Sequence, residues 1–120
     1  MVLFIGDGPN RIDKETGLPF VDPRYASTLR MWINKIAPLE AKILNSHNEA
    51  LLERIKKHNE LGNVFVALGN AASKRLKKME IPHFKLPNPS SKNRKIDDQD
   101  YVNSELDKCR DYLKGLGKCV

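Results

Sequence analysis

Two short loops contain residue types that could take part in catalysis or ligand binding. Residues 6–10 read GDGPN and follow directly on an apolar run that begins at Val2. Glycine lets a backbone approach a ligand closely, and the Asp7 carboxylate can orient a water molecule or accept a proton. The same residues also suit a plain tight turn after a strand. Their spacing matches neither the dinucleotide-binding glycine motif nor the phosphate-binding loop with its Lys-Ser/Thr pair.

The second loop, residues 86–94, reads LPNPSSKNR. Its two prolines stiffen the backbone around Asn88, whose amide can donate a hydrogen bond to an oxygen atom. The hydroxyls of Ser90 and Ser91 and the basic residues that follow can hold phosphate groups. A surface loop without a ligand explains the same composition equally well.

The sequence predicts neither a metal site nor a catalytic nucleophile. His47, His58 and His83 are scattered, and Cys109 and Cys119 lack the spacing of metal ligands. No nucleophile elbow or catalytic triad can be drawn from the remaining residues. We therefore expect no metal and no cofactor.

Positive charge is concentrated around the second loop. The chain has a net charge of +6, and residues 74–95 contain eight basic residues against one acidic residue, Glu80. That segment alone carries +7, so the rest of the chain carries −1. A local excess of this size suits a polyanionic partner. For the basic residues of segment 74–78, a solvated helix face is the alternative.

The elements that must position these loops alternate along the chain. Short apolar runs predict buried strands at 2–5, 64–68 and 83–86, while 41–44 fits a strand or a continued helix. Apolar residues at helical spacing predict helices over 25–37, 46–59, 71–79 and 98–116.

Two residues within these helices have predicted local roles. Ser46 is followed by Glu49 three residues later, which is the pattern of a capping box at the start of the second helix. In the last helix, apolar residues recur at steps of four and three and include Cys109. We therefore expect Cys109 to be a buried core residue.

Strands that alternate with helices predict parallel pairing and right-handed crossovers. The predicted fold class is α/β, with residues 1–120 forming a single domain. We expect a three-layer sandwich in which helices flank a short four-stranded parallel sheet. Ligands of such sheets bind beyond the carboxyl ends of the strands. This rule puts segments 6–10, 45–47, 69–70 and 87–94 on one rim.

Taken together, these segments resemble the uracil-DNA glycosylase superfamily, and a uracil-DNA glycosylase-like fold is the expectation that follows. The resemblance rests on five motifs in order: GDGPN at 6–10, GLPF at 17–20, ILNS at 43–46, VALGNAA at 66–72 and NPS at 88–90. The NPS motif is similar to that of mismatch-specific members, and Asp7 resembles the acidic residue of the thermostable branch. That branch also carries a cysteine set for an iron–sulfur cluster, which this chain, with two cysteines, lacks.

The resemblance implies a monofunctional glycosylase. Such an enzyme flips uracil or a related pyrimidine out of DNA and hydrolyses its N-glycosidic bond. Asp7 and Asn88 would be the catalytic residues. Asp7 would position water or support the cationic sugar, and Asn88 would stabilise the oxygen on which negative charge develops.

The resemblance also implies how the DNA is held. Phe20 would stack on the flipped base and Asn45 would hydrogen-bond its edge, beside Gly6 and Gly8 in the base pocket. The implied phosphate-binding residues are Ser90, Ser91, Lys92, Arg94 and Lys95.

Two positions depart from the family pattern. Gly8 stands where several branches carry a catalytic Asp or Asn, and Lys92 stands where most members carry an apolar wedge. These departures favour an alternative, a catalytically weak or inactive module of the same fold that binds DNA, a modified base or a nucleotide. A third hypothesis is a protein that acts on host or viral repair machinery by contacts rather than chemistry.

The expected partner is uracil-containing or modified-base DNA, with repair or viral proteins as further candidates, and we expect a monomer. The apolar runs are too short to span a membrane. Met1 leads into a strand without the basic region of a signal peptide. Reduced thiols then predict the cytoplasm, in a bacterium or a virus-infected cell.

Overall fold

Strands and helices alternate in the computed structural model, which describes residues 1–6, 23–46, 49–89 and 94–118. The strands are β1 (Val2–Gly6), β2 (Ala41–Asn45), β3 (Val64–Leu68) and β4 (Phe84–Leu86). The helices are α1 (Pro23–Ile36), α2 (Glu49–Glu60), α3 (Asn70–Lys78) and α4 (Gln99–Gly115), with a 3₁₀ turn at Arg94–Asp97. None of the helices in these ranges is long and apolar enough to cross a membrane.

The four strands form one parallel sheet in the order β2-β1-β3-β4. In this register Gly6 pairs with Asn45, and Leu68 pairs with Leu86, so the strands end together. The chain first moves outward from β1 to β2 and then returns past β1 to reach β3. The direction of winding therefore switches between β1 and β3, where open α/β sheets form a ligand crevice beyond the carboxyl ends.

One face of the sheet packs against α1 and α4. Alternate strand residues, among them Phe4 and Leu68, point to this face because successive side chains of a strand alternate sides. The buried helix residues here are Leu29, Trp32 and Ile36 of α1 and Val102, Leu106, Cys109 and Leu113 of α4. Cys109 is fully buried, which confirms its predicted place in the core.

The opposite face packs against α2 and α3. It buries Leu3, Ile5, Leu44, Phe65 and Ala67 of the sheet with Ile55, Ala72, Leu76 and Ile81. Complete burial of a side chain such as Phe65 contributes about 1.5–3 kcal/mol relative to its exposed form. Helices on both faces confirm the three-layer arrangement and the four-stranded parallel sheet.

The predicted elements exist with small changes of boundary. Segment 41–45 is a strand, which settles the alternative left by its short apolar run. The helix expected from residue 25 begins at Pro23, consistent with proline's preference for the first helical position. The last helix begins after Asp98, whose Oδ1 accepts a hydrogen bond from the Tyr101 backbone N–H at 3.1 Å.

The predicted capping box at Ser46 is wrong. Helix α2 begins at Glu49, three residues beyond the expected cap. The Ser46 hydroxyl instead donates to the Gly6 carbonyl oxygen at 2.8 Å. A hydrogen bond across two strands has therefore replaced the local bond that the sequence pattern suggested.

Candidate functional site

The carboxyl ends of the strands form one edge of the sheet, here called the carboxyl edge. In spatial order, β2 ends at Asn45, β1 at Gly6, β3 at Leu68 and β4 at Leu86. Every segment that the sequence predicted to line the rim begins or ends at one of these strand termini. The predicted grouping of these segments on one side of the sheet is thus found wherever the structure describes them.

Asn88 packs against the turn that follows β3. A Cβ atom placed on Gly69 would lie 3.1 Å from the Asn88 Cβ, closer than ordinary packing tolerates. Gly69 has φ +93° and ψ 176°, a region that is open almost only to glycine. Its backbone N–H donates to the Leu86 carbonyl oxygen at 2.9 Å, which joins the ends of β3 and β4. Because Gly69 has no side chain, Asn88, which follows β4, can pack against the end of β3.

A buried serine joins the ends of β1 and β2. The Ser46 side chain is 2% exposed, and both its hydroxyl and its backbone N–H donate to the Gly6 carbonyl oxygen, at 2.8 and 3.0 Å. The Arg75 guanidinium of α3 donates to the same hydroxyl at 3.0 Å. A hydrogen bond from a charged donor is stronger than a neutral one. Arg75 thus holds α3 to the point where β1 leads into residues 7–10.

The remaining predicted site residues fall into two groups. Asp7, Gly8, Phe20, Ser90, Ser91 and Lys92 lie outside the described residues. Asn45 and Arg94 are described through the backbone alone, as the end of β2 and the start of the 3₁₀ turn. Gly6 is buried at the end of β1, Asn88 is half-buried, and Lys95 is exposed. The structure therefore places the Gly6, Asn45 and Asn88 backbone positions at the carboxyl edge, with Gly6 paired to Asn45 and Asn88 packed against Gly69.

Basic side chains lie along α3 and on β4. Lys74, Lys77 and Lys78 are exposed on α3, and Lys85 is exposed on the edge strand β4. Lys77 and Lys78 belong to the last turn of α3, whereas the carboxyl edge lies at its start. The Lys85 ammonium donates to Asn70 Oδ1 at 2.9 Å, so Lys85 is held beside the start of α3 and the carboxyl edge.

Ser73 and His83 form a hydrogen-bonded pair that resembles a nucleophile with its base. The His83 ring Nδ1 lies 2.8 Å from the Ile81 carbonyl oxygen, so Nδ1 carries the proton and Nε2 accepts from the Ser73 hydroxyl at 2.8 Å. The Ser73 side chain is only 3% exposed. A hydroxyl with so little access to a substrate serves to join α3 to the start of β4.

The sequence places Ser46 and Gly69 on the rim, but it predicts the wrong partner for Ser46 and no separate role for Arg75. The capping pattern assigns Ser46 to a helix start, and the charge pattern includes Arg75 only as one basic residue of segment 74–95. The signal for Gly69 was present, because a glycine directly after a buried strand marks a turn with positive φ. No local pattern predicts the bond from Arg75 to Ser46, because it joins residues 29 positions apart.

No protein-family model, curated protein or solved structure matches this chain.

Proposed function

We propose that this protein is a monofunctional glycosylase that removes uracil or a related pyrimidine from DNA. The observation that carries the proposal is that Gly6 pairs with Asn45 at the carboxyl edge, while Asn88 packs against Gly69 at the end of the neighbouring strand β3. These positions belong to three of the five motifs through which the sequence resembles uracil-DNA glycosylases. The motifs are separated by about forty residues each in sequence, and the parallel sheet places them at one edge.

The proposed site lies across three strands of the carboxyl edge. Asn45 ends β2, while Asn88 packs over Gly69 at the end of β3. These strands lie two places apart in the sheet, so their backbones are separated by about 10 Å at the usual strand spacing. In the proposal, the side chains of Asn45 and Asn88 hydrogen-bond a base that enters between them.

In the proposed reaction, the bond between C1′ of the sugar and the ring nitrogen of the base breaks. The electron pair leaves with the base, and the Asn88 amide donates a hydrogen bond to the oxygen that gains negative charge. Water adds its oxygen to C1′, and its proton passes to the Asp7 carboxylate, which directly follows Gly6. The departing base then takes up a proton, so that the products are a free pyrimidine and an abasic site.

The network around Ser46 supports this use of the first motif. The Gly6 carbonyl oxygen, one residue before Asp7 in the sequence, accepts two hydrogen bonds from Ser46, and the Ser46 hydroxyl accepts one from Arg75. A catalytic side chain needs a position held to within about 0.5 Å. The backbone from which Asp7 departs is therefore restrained on the side described by the structure.

The test is a strand-cleavage assay on labelled oligonucleotides that carry uracil opposite G, opposite A, or unpaired. Alkali after incubation cuts the strand wherever an abasic site has formed. We expect Asn88→Ala to reduce kcat by about 100- to 1,000-fold, the usual effect of losing one donor to a developing oxyanion. Asp7→Ala should also abolish most of the activity. Asn59→Ala, an exposed position on α2, is the matched control and should retain it.

A binding module without catalysis is the second candidate, and Gly8 favours it because several family branches carry a catalytic residue there. The same oligonucleotides separate the two functions. Salt-sensitive binding without cleavage at any salt concentration would replace the glycosylase by the binding module. The absence of both cleavage and binding would refute the glycosylase and a DNA-binding module, because each requires basic side chains to contact phosphates.

A further inference from the structure

A cleft of about 460 Å³ lies beside Asn88, between β4 and the first turns of α3 and α4. Its size falls within the range of about 300–1,000 Å³ that is usual for small-molecule sites. Its polar lining includes Asn70, Lys85, Asn88, Lys95, Tyr101 and Glu105. None of these residues except Asn88 and Lys95 belongs to the site that the sequence predicted.

Two lysines from different elements line the cleft. Lys85 reaches it from β4 and Lys95 from the 3₁₀ turn before α4. Asn70 accepts one hydrogen bond from the Lys85 ammonium at 2.9 Å, which holds that ammonium beside the start of α3. An ammonium group has three donors, so this contact leaves donors for an anionic ligand. Two lysines that line one cleft suit a phosphate group.

An aromatic ring and a carboxylate from α4 also line the cleft. Tyr101 lies in the first turn of α4 and is half-buried, and Glu105 follows four residues later on the same helix face. The Glu105 side chain is 20% exposed and lies 3.4 Å from the Lys108 ammonium. A ring can stack on a nucleobase, and a carboxylate can accept a hydrogen bond from its amino group.

We propose that this cleft binds one nucleotide, with its phosphate at Lys85 and Lys95 and its base against Tyr101. A phosphate ion alone would make no use of Tyr101, and an acidic peptide would meet the Glu105 carboxylate. Since Asn88 lines both sites, the nucleotide in the cleft is the neighbour of the one held at the carboxyl edge. Its assignment to a DNA strand rests on the proposed function. A free mononucleotide has the same chemistry and is the other possible source.

Fluorescence anisotropy of the full chain with a labelled single-stranded oligonucleotide tests the cleft. The oligonucleotide contains no uracil, so the assay measures binding alone and does not require the protein to be a glycosylase. The double variant Lys85→Gln/Lys95→Gln should weaken binding and reduce the slope of log K against log salt by about 0.7, the value of one phosphate contact. The control Lys57→Gln/Lys114→Gln removes the same charge from the last turns of α2 and α4, and should leave the slope unchanged.

Two substitutions of Tyr101 test the ring. Because Tyr101 also packs against the core, Tyr101→Leu is preferred to alanine: it keeps apolar volume but removes the flat face. It should weaken oligonucleotide binding by about tenfold, the order expected for one stacked base, while Tyr101→Phe should bind as the wild type does.

Competition with deoxyadenosine monophosphate identifies the source of the nucleotide. Displacement of the labelled strand by the mononucleotide, lost in the Lys85→Gln/Lys95→Gln variant, would assign the cleft to free nucleotides. Binding that depends on the cleft but resists the mononucleotide would assign it to a strand. The proposal is overturned if the cleft lysine variant binds like its control, or if Tyr101→Leu binds like Tyr101→Phe. Uracil excision that persists in such a protein would leave the proposed function standing.

Discussion

Substitution of Gly69 by alanine tests the link between the turn after β3 and Asn88. The backbone at Gly69, with φ +93° and ψ 176°, lies in a region that costs other residues about 1–3 kcal/mol. An added Cβ would also lie 3.1 Å from the Asn88 Cβ, so Asn88 must move by a few tenths of an ångström. No side chain caps α3 at this position, so no cap is lost with the change.

We expect Gly69→Ala to lower the free energy of unfolding by about 2 kcal/mol, the middle of the range for strained backbone. A domain with a stability of about 5–15 kcal/mol remains folded after such a loss. Uracil excision should fall more steeply than stability suggests, by about tenfold, because a displaced donor stabilises the developing charge less well. Urea unfolding measures the first effect, and single-turnover strand cleavage measures the second.

Two further variants separate strain from displacement. Gly62→Ala also has a positive φ, +80°, but a Cβ there meets nothing within 4 Å, so it should lower stability and leave cleavage unchanged. Asn88→Gly removes the atom that the new Cβ approaches, whereas Asn88→Ala retains it. In the Asn88→Gly background, Gly69→Ala should therefore cost less stability than it does in the wild type. Equal costs in both backgrounds, or full cleavage by Gly69→Ala, would refute the role given to this contact.

Three other substitutions have definite expected effects on urea unfolding. Ser46→Ala should cost about 1–2 kcal/mol, because a buried hydroxyl that accepts from a guanidinium is lost. Ser73→Ala should cost about 1 kcal/mol through its bond to His83 and leave DNA affinity unchanged. Burial, and then the charge of nearby Cys109, raise the pKa of Tyr112, so the folded state favours the neutral phenol. The contribution of Tyr112 to the free energy of unfolding is therefore present below pH 10 and is lost as the pH rises through the raised pKa. Tyr112→Phe should then reduce the fall in stability above pH 10.

The sheet and most of the core were predictable because their signals are local. Runs such as 64–68 are apolar at every position, which is typical of a strand buried on both faces. The position of Cys109 followed from helical spacing alone. The strand order β2-β1-β3-β4 was not predicted, since periodicity shows which face is buried and not which strands are neighbours.

The details of the carboxyl edge were less predictable than the core. The pattern around Ser46 and Glu49 is a good helix start, yet the Ser46 hydroxyl is used by the Gly6 carbonyl instead. A serine hydroxyl can form a hydrogen bond with a buried carbonyl oxygen or with a backbone N–H at a helix start. Only the tertiary fold decides which of these partners is near. Arg75 is a second example. In the sequence it is one of several basic residues, and only the fold brings its guanidinium to the Ser46 hydroxyl.

Strand order determines whether the separate motifs of the sequence can act on one ligand. If β3 had added beyond β2, the end of β1 would lie three strands from the end of β4 instead of two. In the observed order β3 lies beside β1, and the absence of a side chain at Gly69 leaves room for Asn88 at the end of β3. The strand order and the glycine after β3 therefore act together. They place Asn88 against the strand that neighbours β1, as the proposed site requires.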